Sequence, residues 1–156
     1  RGIDVSPAML SVARANIERA GLRNTALRQG DVYALPPAEG PFSLIVVHQV
    51  LHFLDDPGRA IREAARLLAP GGRLLIVDLA PHAQERLRTE FNHRRLGFAT
   101  EEIAGLLADA GLDVAATTAL GPEAGEGDTL TVRIWLGQDR RIQTDGPFST
   151  ATAEVA

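Results

Sequence analysis

Between Ser6 and Gly21 the apolar residues Leu10, Ala13, Ile17 and Ala20 recur every three or four positions, the spacing that gathers them on one face of a helix. Ser6 can cap that helix, Pro7 suits its first position and Gly21 closes it. A second helical pattern, Ile61, Ala64, Ala65 and Leu68, follows the cap Asp56 and Pro57 and ends at Pro70 with Gly71-Gly72. A third runs from about Glu101 to Ala110, capped by Thr100 and stopped by Gly111. Between these helices the apolar residues are continuous rather than periodic. Leu44 to Val47 and "RLLIVDL" read as strands buried on both faces of a parallel sheet, and Asp78 lies near the end of the second. Shorter strands are expected at residues 2–4, ending at Asp4, and around Thr25 to Arg28.

"LDVAATTAL" and "TLTVRIWLG" are two further strands, separated by the Gly- and Glu-rich loop 121–128. Pro36, Pro37, Gly40 and Pro41 mark another loop. After Gly137 the pattern stops, so residues 138–156 read as a flexible tail on a domain of residues 1–137. Strands alternating with helices and ending in consecutive strands define an α/β class: a Rossmann-like, doubly wound, mostly parallel sheet with a carboxyl-terminal antiparallel hairpin.

Composition narrows the choices. The 156 residues are 45% hydrophobic and 23% charged, as in an ordinary globular domain. Cysteine is absent, which excludes disulfides and thiolate zinc sites and makes the cytoplasm the default location. A formal charge of −4 argues against nucleic acid as a partner, since phosphate binding needs a basic surface, and no apolar run approaches a membrane span. No membrane or nucleic-acid partner is expected, and the oligomeric state is not readable.

Acids at the carboxyl ends of strands are the first candidates for chemistry. In a doubly wound sheet such an acid can accept hydrogen bonds from ribose hydroxyls, which points to Asp4; capping the following helix is the alternative. Asp31 follows the next strand and Gly30, where it is either a second ligand-facing acid or a turn aspartate. His48, Gln49 and His52 come straight after the most apolar strand. His48 or His52 can remove a proton near neutral pH, or can serve the local backbone instead. No acid at a suitable spacing completes a metal site with the two histidines, so no metal is expected. Arg86, Arg88, Arg94 and Arg95 exceed Glu85 and Glu90 by two charges, reading either as a solvated helix face or as a preference for an anionic substrate.

"GIDVSPAML", "GDVYALP", "FSLIVVHQVLHFL" with "DDP", and "LLAPGGRLLIVDL" occur in that order. In this series the chain resembles the class I S-adenosylmethionine-dependent methyltransferases over about residues 1–137. The closest likeness is to the small-molecule branch that includes quinone-biosynthesis enzymes and modules fused to metalloregulator-like domains. The resemblance implies S-adenosyl-L-methionine as cofactor and a small-molecule methyl acceptor. It implies ribose contact by Asp4, with Val5 beside it, and adenine contact by Met9, Asp31 and the Val32 N–H. It further implies that His48, Gln49 and His52 lie near the methionine part and the reacting methyl.

One family feature, the Gly-rich turn of E/DxGxGxG type, does not occur in these residues. The expectation is therefore a carboxyl-terminal portion of a longer methyltransferase, with an incomplete cofactor site and weak cofactor binding when alone. A nicotinamide-dependent oxidoreductase is the competing enzyme, although its usual catalytic Lys has no counterpart in a chain without lysine, and Tyr33 is the only tyrosine. A non-enzymatic binding remnant is the alternative of a different class.

Overall fold

The computed structural model describes residues 1–35, 41–121 and 129–141. Strand β1 (Gly2–Asp4) leads into helix α1 (Pro7–Arg19), and Ser6 Oγ accepts from Met9 N at 3.3 Å, so the expected cap forms. Strand β2 (Leu27–Gln29) pairs in parallel with β1, lying slightly further along than the sequence pattern suggested. Strand β3 (Phe42–His48), a 3-10 turn at Leu51–Phe53 and helix α2 (Pro57–Arg66) follow. Asp56 caps α2 through a 2.9 Å bond to Arg59 N.

Strand β4 (Leu68–Leu79) begins earlier than the pattern implied. Pro70, Gly71 and Gly72 lie inside it rather than in a separate turn, because Leu68 already pairs with Phe42. The next pair is Leu44 with Arg73, so the extra residues of β4 bulge there. A Cβ on Gly72 would come within 2.9 Å of the Phe42 carbonyl, so the close approach of the two backbones needs glycine.

Helix α3 (Arg86–Phe91), α4 (Thr100–Asp109), β5 (Leu112–Leu120) and β6 (Val132–Asp139) complete the described chain. Thr100 does not cap α4; Ala99 holds the cap position, and Thr100 Oγ1 instead accepts from Arg133 Nη1 at 2.6 Å. The described structure continues past Gly137. β6 runs to Asp139, and the Arg141 guanidinium bonds both oxygens of Asp139 and donates to the Leu68 carbonyl at 2.7 Å. These charge-assisted bonds hold the Asp139 carboxyl below its usual range. The remaining tail (142–156), most of the β5–β6 loop (122–128) and Pro36, Pro37 and Gly40 lie outside the described residues.

The strands form a parallel β1–β2 pair and a four-stranded sheet in the order β3–β4–β6–β5. β3 and β4 are parallel, whereas β6 runs antiparallel to both its neighbours. The fold is thus Rossmann-like α/β with an antiparallel end, and parallel pairing accounts for two of the four strand pairs. Ala60, Ile61 and Ala64 of α2 and Ile103 and Leu107 of α4 pack with Leu74, Ile76 and Trp135 in one core.

β3 is not buried on both faces. Val47 joins the core, but Leu44 and Val46 are 52% and 50% exposed on the opposite face. Side chains alternate across a strand, and α2 and α4 cover only the side that Val47, Leu74 and Ile76 share.

Candidate functional site

β1 and β2 bring the first group together. Gly30 N donates to the Asp4 carbonyl at 3.1 Å, and Gln29 Nε2 donates to the Val5 carbonyl at 3.1 Å. Asp4, Val5, Asp31 and Val32 therefore share the carboxyl end of one parallel pair. Asp4 Oδ1 accepts from Ser6 N at 2.7 Å and Asp31 Oδ1 from Tyr33 N at 2.8 Å. Both acids shape their own turns through one oxygen, Asp31 as a turn aspartate and Asp4 just ahead of the helix cap, which is Ser6 rather than Asp4. Val5 and Met9 are exposed beside Asp4, an apolar surface at the place where the sequence reading set an adenosine. Val32 and Tyr33 instead pack partly against the main core. The Tyr33 hydroxyl accepts from Asp56 N at 2.9 Å, tying this end of the molecule to α2.

The second group lies at the end of β3 and β4. His48 is the exposed last residue of β3, and Gln49 leaves the strand with a left-handed φ of 54° while donating its N–H to the Val77 carbonyl. A side chain at positive φ is uncommon, and such strain clusters at ligand sites.

His52 is 3% exposed and belongs to a different arrangement. Its Nδ1 lies 2.7 Å from Asp78 Oδ1, and the same carboxylate accepts from Leu51 N at 3.0 Å and Leu79 N at 2.8 Å. Asp78 is a fully buried, satisfied strand-end acid that fixes the 3-10 turn and the His52 ring together. The His93 ring stacks on His52 with centroids 4.1 Å apart, and Phe53 meets His93 edge-on at 5.0 Å.

Three of the chain's four histidines, His52, His82 and His93, thus gather around the His52 ring. His82 and His93 escaped the sequence reading because only tertiary packing brings them to His52. Among the described residues no three His, Asp or Glu side chains form a group suited to a metal ion.

Burial first, and then the neighbouring His52, lower the pKa of both His82 and His93. Glu85 raises that of His82, and Asp78 raises that of His93 against the effect of His82. A depressed histidine pKa favours the neutral ring in the folded state. Its contribution to stability is present above the unfolded value of about 6.5 and is lost as pH falls through the folded value. Thermal melts should therefore show stability falling below about pH 6.5, with a shallower fall in the double variant His82→Gln/His93→Gln. Equal slopes in the two proteins would refute the assignment.

Residues 1–76 match the protein family described as "Methyltransferase domain". An arsenite methyltransferase of Aquipseudomonas alcaligenes is 38% identical over 96 residues, 57% of this chain and 27% of that protein. A demethylmenaquinone methyltransferase of Thermus thermophilus is 36% identical over 80 residues, 51% of this chain and 36% of that protein. The matched part of the chain thus spans about a third of these relatives' own length. The crystal structure of YcgJ protein from Bacillus subtilis superposes with a TM-score of 0.72 at 20% identity, covering 90% of this chain and 82% of that one. The nicotinamide-dependent alternative gains no support from any of these matches. Residues 1–76 thus match a methyltransferase-domain family, and the described chain shares the Rossmann-like fold of the YcgJ structure.

Proposed function

We propose that these residues serve an S-adenosylmethionine-dependent transfer of a methyl group to a small-molecule acceptor. The observation that supports this most is the pair of acids, Asp4 and Asp31, at adjoining carboxyl ends of the parallel strands β1 and β2. Open sheets of this kind take their ligands at that edge. In this reading Asp4 accepts from the ribose hydroxyls. Asp31 and the Val32 N–H address the adenine edge, and Val5 and Met9 give the ring an apolar surface. His48 and Gln49 face the methionine side. The bound cofactor supplies the electrophilic methyl, and the chain's residues orient it and the acceptor.

His52 acts here as a positioning residue, since its ring is buried on Asp78 and its carbonyl accepts from Arg94 N and Arg95 N at 2.9 and 3.2 Å. His48, exposed at the strand end, remains the candidate for taking a proton from the acceptor. The acceptor is a small molecule by analogy with the arsenite and quinone enzymes matched above. Among the described residues no helix is long and apolar enough to cross a membrane, and the cytoplasm is the proposed setting.

Asp4→Ala in the intact protein tests the ribose role. Loss of charge-assisted hydrogen bonds costs about 1.5–3 kcal/mol, or roughly ten- to a hundredfold in cofactor affinity. Calorimetry should show that loss with the fold intact, and an unchanged dissociation constant would remove Asp4 from the site.

A further inference from the structure

We propose that the cavity beside the imidazole cluster binds a small planar carboxylate, the anionic end of the methyl acceptor. The link to an acceptor rests on the methyltransferase reading, whereas the binding itself can be tested apart from it. The cavity is an open, mainly polar cleft of about 840 Å3, large enough for a small-molecule group. Phe53, Arg88, His93, Arg94 and Arg95 line it, and Asp55 is the only acid among its lining residues.

Shape and charge both favour such a ligand. Phe53, 44% exposed, meets His93 at an interplanar angle of 70°, so the two rings form a corner against which a flat group can pack. The wall carries three guanidinium groups against one carboxylate. Each arginine has an acidic neighbour: Arg94 Nη1 lies 3.0 Å from Asp55, Arg95 Nη1 3.5 Å from Glu102 and Arg88 Nε 3.9 Å from Glu85. Glu85 and Glu102 do not line the cavity. These are single contacts at half-exposed groups, and a guanidinium offers five N–H donors in a planar fork. Donors are left over for a ligand, and the fork fits a carboxylate.

The wall is also held in place before any ligand arrives. Arg94 N and Arg95 N both donate to the His52 carbonyl, and the His52 ring is fixed on Asp78. Asn92 ends α3 with a left-handed φ of 58°, turning the chain so that His93 N reaches the Leu87 carbonyl. With the backbone of the wall held in this way, binding has to order only the ligand and the arginine side chains.

The test titrates the intact protein with sodium benzoate, benzamide and inorganic phosphate at constant ionic strength, with and without saturating S-adenosylhomocysteine, followed by amide and side-chain NMR shifts. Benzoate should saturate in at least one of the two states, shifting Phe53 and His93, and should bind about tenfold or more tightly than benzamide, as expected for a charge-assisted contact. Arg88→Gln and Arg94→Gln should each weaken benzoate, whereas Arg62→Gln, on α2 beside Asp56, should leave it unchanged. Melting curves confirm that each variant folds.

Equal binding of benzoate and benzamide, no benzoate binding in either state, or phosphate binding tighter than benzoate would overturn the proposal. Benzoate binding without any S-adenosylhomocysteine binding would instead overturn the methyltransferase reading and leave the carboxylate site standing.

Discussion

Asp78→Ala should destabilise the protein by about 3–5 kcal/mol, the range for breaking a buried, hydrogen-bonded charged site. Three donors lose their acceptor together: the Leu51 and Leu79 amides and the His52 ring. Leu51, His52 and Leu79 are all buried, so none of them turns to bulk solvent instead. For a chain of this length such a loss lowers the melting temperature by on the order of 10 °C. Asp78→Asn keeps one acceptor oxygen and nearly the same shape, so it should cost less, roughly 1–3 kcal/mol. Denaturant melts of both variants distinguish a lost acceptor from lost volume. An Asp78→Ala variant as stable as the parent would contradict the role assigned to this carboxylate.

Gly97→Ala should be comparably severe for a different reason. Gly97 has a φ of +84°, and an added Cβ would run into the backbone carbonyl of Ala80. Backbone cannot swing aside like a flexible side chain. The Leu96 carbonyl accepts from His82 N, and Phe98 N donates to the Leu79 carbonyl, so both flanks are tied to the segment after β4. Left-handed strain and forced displacement together should cost about 2–5 kcal/mol. Gly105→Ala is the contrasting case, since Gly105 lies within α4 with nothing near the added Cβ. It should stabilise by about 0.5–1 kcal/mol. If Gly97→Ala melts with or above the parent, the close approach of 97 to Ala80 is wrong.

What the sequence reveals depends on how local the cause is. The Ser6-Pro7 and Asp56-Pro57 starts are readable because a cap and its helix lie within four residues. The Asp4–Asp31 arrangement is readable because two short parallel strands place their ends side by side. Leu44 and Val46 were misread because an apolar run shows that burial is favourable, not which faces other elements cover. Pro70 and the paired glycines looked like a stop signal, yet strand pairing from Leu68 outweighed it. The imidazole cluster is the least legible part, since His82 and His93 meet His52 only when the chain after β4 folds back over the 3-10 turn. The same folding turns Arg88, Arg94 and Arg95, three members of a charge run in the sequence, into one wall of a cavity.

The central claim is that the β1–β2 end holds the adenosine of S-adenosylmethionine. Amide NMR mapping of S-adenosylhomocysteine binding to the intact protein tests it most directly. The account predicts saturable shifts concentrated at Val5, Met9, Asp31, Val32 and Gln49, with NAD producing none. No saturable response, or shifts centred on α4 and β5 with those five residues unmoved, would contradict it.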